Sequence, residues 1–577
     1  MPRVSASFAL FLVLSALHAQ LLIPIAVADF IKTASRLNPP TPVPSPPLAR
    51  GERVGVRGDS KPAAFENFAQ ATGISADIDA LLHVEWLRYG YCGVVVRDLQ
   101  TGETLYTRDA ERVLIPASNM KLLVSAAALH RLGPDYRFRT RVWMRGTLLP
   151  DGTLQGDLIL QGLGDATLEM RGLETLAQQV RQAGVQRVQG YLLYDDSWLD
   201  AERYGFGWSS DDEPFGYQAQ MSALCAERNA VRLYAKPATQ VGEPVQLRLE
   251  PDTDYMELVN RTRTVERGAA NTGIRATRTR ARNQIIVDGT LPLGSEEVFV
   301  GRYSVENPSR YTAHLFRQAL QASGVVVERG IVPALAPFAP LSRAAGEKRR
   351  GEPPFAPTPL SRLVGEGLLT RVHQPHSFGA RGSGFSQAGS PHSLPSPPLS
   401  RGERVRVRGD SIPHVGKKFP CEPALLYLIA VPLPRERPGV RANKSNHDAL
   451  TLLAEHLSPP MREVVALINK PSDNLLTEIT LKTLGKEIRG AGTTAAGVQV
   501  LREFLQSAGL EMGAVHIVDG SGLSRINGVS PENFVRLLEY MHRSPHAEAF
   551  RESLPVYGVD GTLRNRLRGT PVQGNGY

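Results

Sequence analysis

Three cysteines in 577 residues, Cys92, Cys225 and Cys421, are too few and too widely spaced for a disulfide framework or a thiolate metal site. At most one bridge is possible. Long apolar runs are as scarce: beyond Val27 no stretch approaches the ~20 apolar residues needed to span a bilayer. Charge of one sign is scarce too, once it is located along the chain. The total of +9, from 66 Lys+Arg against 57 Asp+Glu, would suit a nucleic-acid or membrane surface if it lay on one folded face. Residues 341–446, however, hold 17 Lys+Arg and 7 Asp+Glu, a net of +10 that leaves −1 for the remainder. Outside that segment the chain is near neutral, and nucleic acid is not an expected partner.

What is present is a chain with 42% apolar residues, enough to bury at least one sizeable core. It begins with Arg3, an apolar stretch from Phe8 to Val27, and Ala26-Val27-Ala28 before Asp29. Such a layout predicts a secretory signal peptide over residues 1–28, and hence an exported protein, soluble or peripheral to the membrane. Residues 44–60 (PSPPLARGERVGVRGDS) recur at 395–411 with two of 17 positions changed. These copies are rich in Pro and Arg, irregularly spaced and without apolar periodicity, unlike the steady units of a solenoid. Segments 40–60 and 336–446 therefore read as low-complexity inserts, the alternative being a basic arm for an anionic polymer.

The rest has globular texture. Gly93–Asp98 and Thr104–Tyr106 flank a turn containing Gly102 and predict a β-hairpin. Pro116-Ala117 then introduces an Ala- and Leu-rich run that predicts a helix. From about 135 to 335 short β-like runs alternate with Gly/Asp turns, and helical texture returns from Asp448 through Leu450–Leu453, Val464–Ile468 and Leu475–Leu484. Within the β-rich stretch Asp195 reads as a solvated turn acid, with contact to a bound peptide as the alternative.

Two short motifs carry chemistry. Ser118 and Lys121 form Ser-x-x-Lys at the start of the predicted helix, where a three-residue spacing puts both side chains on one face. A partly desolvated lysine amine there can serve as base for the hydroxyl, although the motif alone fits an ordinary surface Ser and Lys equally well. Ser472-Asp473-Asn474 forms a loop that opens a helix and can aim a hydroxyl and an amide into a cleft; alternatively Ser472 or Asp473 is only its N-cap. In this chain order the two motifs belong to the set shared by penicillin-binding proteins and class A β-lactamases.

With TGETLY at 101–106, IPASNMKLL at 115–123, INKPSDNLL at 468–476, DGSGLSR at 519–525 and YGVDGTLRNRL at 557–567, the chain resembles a family. It is the D-alanyl-D-alanine carboxypeptidase/endopeptidase group of low-molecular-mass penicillin-binding proteins, peptidase family S13. The resemblance covers about 70–305 and 447–573. It implies an α+β fold: a penicillin-binding/β-lactamase-like transpeptidase domain of helices on an antiparallel sheet, interrupted by β-rich inserted domains. The peptidase domain would occupy 65–140 and 447–577, with the β-rich insertion at 141–335. The resemblance implies Ser118 as nucleophile, Lys121 as acylation base, Ser472 as proton relay to the leaving amine and Asn474 as a substrate-orienting amide. No metal or cofactor is implied. The partners would be peptidoglycan stem peptides, with β-lactams as acylating inhibitors, in the periplasm. A β-lactamase and a non-catalytic peptidoglycan-binding protein are the alternatives. One departure stands out: the family's third motif, Lys-Thr-Gly, is expected soon after GTLRNRLRGTPVQGN, but the sequence runs to Gly576-Tyr577 without it. With the C-terminal strands missing, the hairpin at 91–107 is expected to expose an apolar face and an open edge, and activity is expected to be weak or absent.

Overall fold

The computed structural model describes residues 8–14, 74–82, 90–270, 272–334, 450–570 and 573–577. The low-complexity readings at 40–60 and 336–446, and Cys421, lie outside the described residues; Cys92 and Cys225 are both buried free thiols.

The predicted hairpin is present as β2 (Cys92–Asp98) and β3 (Thr104–Arg108). Its state differs from the expectation of an exposed face and edge. Strand alternation sends Val95 into the main core and Val94 and Val96 into a second cluster, with Ile78 and Leu82 of helix α1 (Ile74–Leu82). Both faces are thus covered. The free edge of β2 is paired antiparallel by β1 (Phe8–Leu14), in the register Phe8↔Asp98 to Leu14↔Cys92. Residues 8–14 are the stretch that the sequence marks as the apolar centre of a signal peptide. A run of seven apolar residues also suits a strand, and an unpaired row of backbone N–H and C=O groups is a ready partner for one. The remainder of 1–28 lies outside the described residues.

Helix α2 (Met120–Arg131) starts where predicted, after a single 3-10 turn at Ala117–Asn119. It is buried on almost every side, with Leu123, Val124, Ala126, Ala127, Ala128 and Leu129 fully enclosed. Its small residues let neighbouring helices approach closely.

The inserted region begins with β4 (Arg139–Leu148) and β5 (Thr153–Leu163), which pair antiparallel along their whole length. Helix α3 (Met170–Gln182) follows and buries Leu173, Leu176, Ala177 and Val180, a helical stripe. β6 (Arg187–Val188) and β7 (Leu192–Asp195) lie parallel to successive halves of β5. A smaller sheet has the order β13-β8-β9, from β8 (Ala230–Lys236), β9 (Gln246–Glu250) and β13 (Val298–Ser304). Another has the order β10-β12-β11, from β10 (Glu257–Val265), β11 (Gly273–Arg278) and β12 (Gln284–Pro292). Helix α4 (Pro308–Ala322), β14 (Val326–Val327, beside β6) and β15 (Ile331–Pro333, beside β7) return to the large sheet.

That sheet is completed from far along the chain. β16 (Leu450–Leu457) pairs antiparallel with β4, Leu457 opposite Arg139 and Leu450 opposite Arg145. The sequence reading gives Leu450–Leu453 helical texture; the strand forms because β4 offers an open edge and Ala454 packs into the inserted core. Asp195 is corrected too. It is 3% exposed at the end of β7 and accepts hydrogen bonds from Gln161 (2.9 Å) and the Ser197 N–H (3.0 Å), so it is a buried structural acid.

The chain then re-enters the helical core through α5 (Met461–Asn469), α6 (Asn474–Arg489) and α7 (Thr494–Ser507), which enclose α2. A two-strand ribbon of β17 (Val515–His516) and β18 (Gly528–Val529), then α8 (Pro531–Arg543) and α9 (Ala547–Glu552), follow. α8 lies against β2, and Arg97 of β2 pairs with its Glu532 at 2.9 Å and Glu539 at 3.1 Å.

Candidate active site

Ser118 stands exposed in the 3-10 turn that leads into α2, and Lys121 lies one turn on, 2% exposed. The Lys121 Nζ donates to Ser118 Oγ at 3.1 Å and to the Ser521 carbonyl at 2.7 Å. Burial in this apolar helix bundle pulls the Lys121 pKa down to about 8, against the opposing pull of Glu478, Asp473 and Asp519. The amine is therefore partly neutral near neutrality and within hydrogen-bond reach of a hydroxyl, the arrangement general-base activation requires.

The carbonyl that grips Lys121 is itself held by carboxylates. Glu478 on α6, fully buried, accepts from the Gly520 N–H (3.0 Å) and Ser521 N–H (2.7 Å), while its Oε2 has no hydrogen-bond partner. Burial and the neighbouring Asp519 raise the Glu478 pKa. Asp519 accepts from Gly522 N–H (2.9 Å), Ser524 N–H (2.7 Å), Asn527 Nδ2 (2.6 Å) and Trp208 Nε1 (2.9 Å). The turn at 519–524 is thereby fixed against the Ser118 turn. Gly522 has φ +82, and a side chain there would collide with the Ala117 carbonyl.

Ser472 and Asn474 sit at the start of α6. Asp473 is the N-cap, its Oδ1 accepting from the Leu476 N–H at 2.9 Å and its Oδ2 from Arg228 Nε at 2.9 Å. The capping alternative thus applies to Asp473 and leaves the Ser472 hydroxyl and the Asn474 amide free of that task. Asn474 Nδ2 donates to the Tyr217 carbonyl at 2.8 Å. Both serines are carried by left-handed backbone: Ala117, just before Ser118, has φ 46 and Ser472 has φ 62. Non-glycine residues hold such angles only where surroundings impose them, commonly at functional sites.

The two motifs are linked through the 519–521 turn: Ser118 to Lys121, Lys121 to Ser521, Ser521 to Glu478 on the helix that Ser472 and Asn474 open. Sequence reasoning quoted DGSGLSR without giving Asp519 or Ser521 a task, and missed Glu478, Trp208 and Arg228. No ordinary sequence signal shows which acid of an amphipathic helix is buried. Among the described residues no cluster of acids, histidines and cysteines is arranged to hold a metal ion.

Comparison with known proteins adds an independent line. The chain is 32% identical to a D-alanyl-D-alanine carboxypeptidase of Actinomadura sp. strain R39 over 528 residues, covering 90% of this chain and 78% of that protein. It is 20% identical to D-alanyl-D-alanine carboxypeptidase DacB of Haemophilus influenzae over 477 residues, covering 82% of this chain and 76% of the relative. The crystal structure of penicillin-binding protein 4 from H. influenzae superimposes with a TM-score of 0.56 at 18% identity, over 84% of this chain and 82% of that one, a likeness of fold. The D-Ala-D-Ala carboxypeptidase 3 (S13) family matches residues 74–344 and 439–576. With over half the chain matched in this way, and a relative at 32% identity covered for most of its length, the protein belongs to the D-Ala-D-Ala carboxypeptidase 3 (S13) family.

Proposed function

We propose that the chain is a serine D-Ala-D-Ala carboxypeptidase/endopeptidase acting on peptidoglycan stem peptides, with Ser118 as nucleophile. The observation that carries the assignment is the 3.1 Å contact between Ser118 Oγ and the buried Lys121 Nζ. Neutral Lys121 takes the Ser118 proton as Oγ attacks the carbonyl of the penultimate D-Ala, and a tetrahedral oxyanion forms. The C–N bond then breaks, the leaving amine receives a proton through Ser472, and the peptide remains on Ser118 as an ester. Water, deprotonated at the same site, attacks that ester and releases the acid. Asn474 orients the peptide amide. This is the logic of the Ser–His–Asp triad with a desolvated lysine in the place of histidine.

A β-lactam presents the same acceptor carbonyl and traps Ser118 as a long-lived ester. A fluorescent penicillin is expected to label Ser118 stably though slowly, in keeping with the weak activity expected from the sequence, with labelling abolished by Ser118→Ala and further slowed by Lys121→Met. No labelling of the native protein would defeat the proposal, and rapid penicillin turnover would favour a β-lactamase. Retention on peptidoglycan without hydrolysis, surviving Ser118→Ala, would favour a binding module.

The relatives and the apolar start of the sequence support a periplasmic site of action, reached through cleavage of a leader at about residue 28; on that reading β1 (Phe8–Leu14) belongs to the leader, and the edge of β2 that it pairs is open once the leader is removed. Among the described residues no helix is long and apolar enough to cross a membrane. The organisation consistent with this reading is a peptidase domain in two segments, 65–140 and 447–577, around an insertion at 141–335 and the basic low-complexity segment at 336–446.

A further inference from the structure

The sequence blocks INKPSDNLL at 468–476 and YGVDGTLRNRL at 557–567 meet in the fold, and the second has no part in the reaction as drawn. They are joined through Lys470, two residues before Ser472. Its Nζ donates to Asp560 Oδ2 at 2.5 Å and to the Leu554 carbonyl at 3.1 Å, and its own carbonyl accepts from the Thr562 N–H at 2.9 Å. The other Asp560 oxygen accepts from the Val556 N–H at 2.8 Å, so the carboxylate closes its own turn while it holds the lysine. Gly561, at φ +55, lets that turn press on the Lys470 backbone: a Cβ there would stand 2.5 Å from the Lys470 carbonyl oxygen.

Asn469, the last residue of α5, is buried and ties the same spot to the helix of the nucleophile. Its Oδ1 accepts from the buried Ser125 hydroxyl at 3.1 Å, and Ser125 lies on α2, seven residues beyond Ser118. Its Nδ2 donates to Ser553 Oγ at 2.8 Å, while Ser553 gives its own proton to the Phe550 carbonyl at 2.6 Å. The amide can therefore face only one way, since Ser553 has no proton left to offer. A buried amide satisfied on both sides is costly to disturb. Two consecutive residues thus fasten the chain just before Pro471-Ser472, on one side to α2 and on the other to the segment 553–562. The backbone that follows needs this fastening, because Ser472 holds φ 62, an angle that persists in a non-glycine residue only where its surroundings impose it.

We propose that Asn469 and Lys470 are positioning residues for the reaction: through Ser125 and Asp560 they hold the Ser472 hydroxyl where it can hand a proton to the leaving amine. The inference rests on the peptidase reading and gives the 557–567 block a task in it. Both residues act through Ser472 and take no part in bond breaking, so loss of the anchor should affect one step selectively. An amine departs only with a proton, whereas a thiolate departs as the anion; in either case Lys121 takes the Ser118 proton.

The test uses the full chain and two substrates with the same acyl portion: a peptide amide ending in D-Ala-D-Ala, and the thioester in which a mercapto acid replaces the last D-Ala. The quantity compared is kcat/KM, which reports acylation. Lys470→Met is expected to lower it about a hundredfold for the amide, the scale of misplacing a reacting group by about 1 Å, and less than about threefold for the thioester. Lys470→Arg should recover part of the amide rate, and Asn469→Leu should show the same split between substrates. Added to Ser472→Ala, Lys470→Met should lower the amide rate little further, because both remove one relay. Equal loss on the two substrates, or a loss that adds in full to that of Ser472→Ala, overturns the anchor. Cleavage of both substrates by the native chain, abolished by Ser118→Ala, would still uphold the peptidase; cleavage of neither overturns both.

Discussion

Lys121 sits between opposing influences, and their signs fix how the reaction should respond to pH. Burial lowers its pKa to about 8, and three carboxylates, Glu478, Asp473 and Asp519, pull it upward. On the proposed mechanism the neutral amine is the active form, so the rate of Ser118 acylation should climb as pH rises towards about 8 and level off above it. Second-order labelling rates with a fluorescent penicillin across that range check the point; a flat profile would count against Lys121 as base. Glu478→Gln keeps an acceptor for the Gly520 and Ser521 N–H groups but removes one charge that holds the lysine protonated. The rising limb should therefore move to lower pH, whereas a purely structural loss would lower the rate at every pH alike. Gly522→Ala is the steric counterpart: at φ +82, with the Ala117 carbonyl in the way, the new methyl should displace the Ser118 turn. Labelling should fall by roughly a hundredfold, the scale of misplacing reacting groups by about 1 Å. At this scale the contact of Ser118 with Lys121 and the position of Ser472 and Asn474 at a helix start were legible because each pair is local in sequence and one helical turn or one loop fixes its geometry. Glu478 was not, because its significance comes from what distant segments leave it to face.

Helix α6 shows how an element serves the site through its ends. It begins on Asp473, which is both N-cap and partner of Arg228, and it ends on Gly490 in the left-handed conformation at φ 75. Asp473→Ala should cost roughly 2–4 kcal/mol, combining a lost cap with a guanidinium deprived of its partner. Asp473→Asn keeps the cap acceptor and should recover part of that, which denaturant unfolding of the two variants can resolve. The starts of α6 and α2 followed from capping residues and helix formers. β16 did not: Leu450-Thr451-Leu452-Leu453-Ala454 has no clear period and favours a helix by composition. The open edge of β4, contributed by residues far upstream, decides its state.

For the whole molecule the contacts that matter most to the site lie where the inserted region meets the helical core. Among the contacts that bind the two are Lys482 to Asp200 at 2.5 Å, Arg228 to Asp473 at 2.9 Å, Trp208 to Asp519 at 2.9 Å and Asn474 to the Tyr217 carbonyl at 2.8 Å. The insertion therefore supplies part of the site's wall. Replacing residues 343–443 by a flexible linker should leave penicillin labelling and the thermal midpoint nearly unchanged. Extending the excision through Leu457 should strip an edge strand from the large sheet and lower the midpoint by several degrees; calorimetry of the two excisions separates these outcomes. The late arrival of β16 also sets a timetable. Its partner β4 is made roughly 300 residues earlier, which at about 5–20 residues per second is some 15–60 s of synthesis. Throughout that interval the edge of β4 has no native mate, so the inserted sheet stays incomplete until β16 has been made. Until then the row of backbone N–H and C=O groups along β4 is open to pairing with other strands.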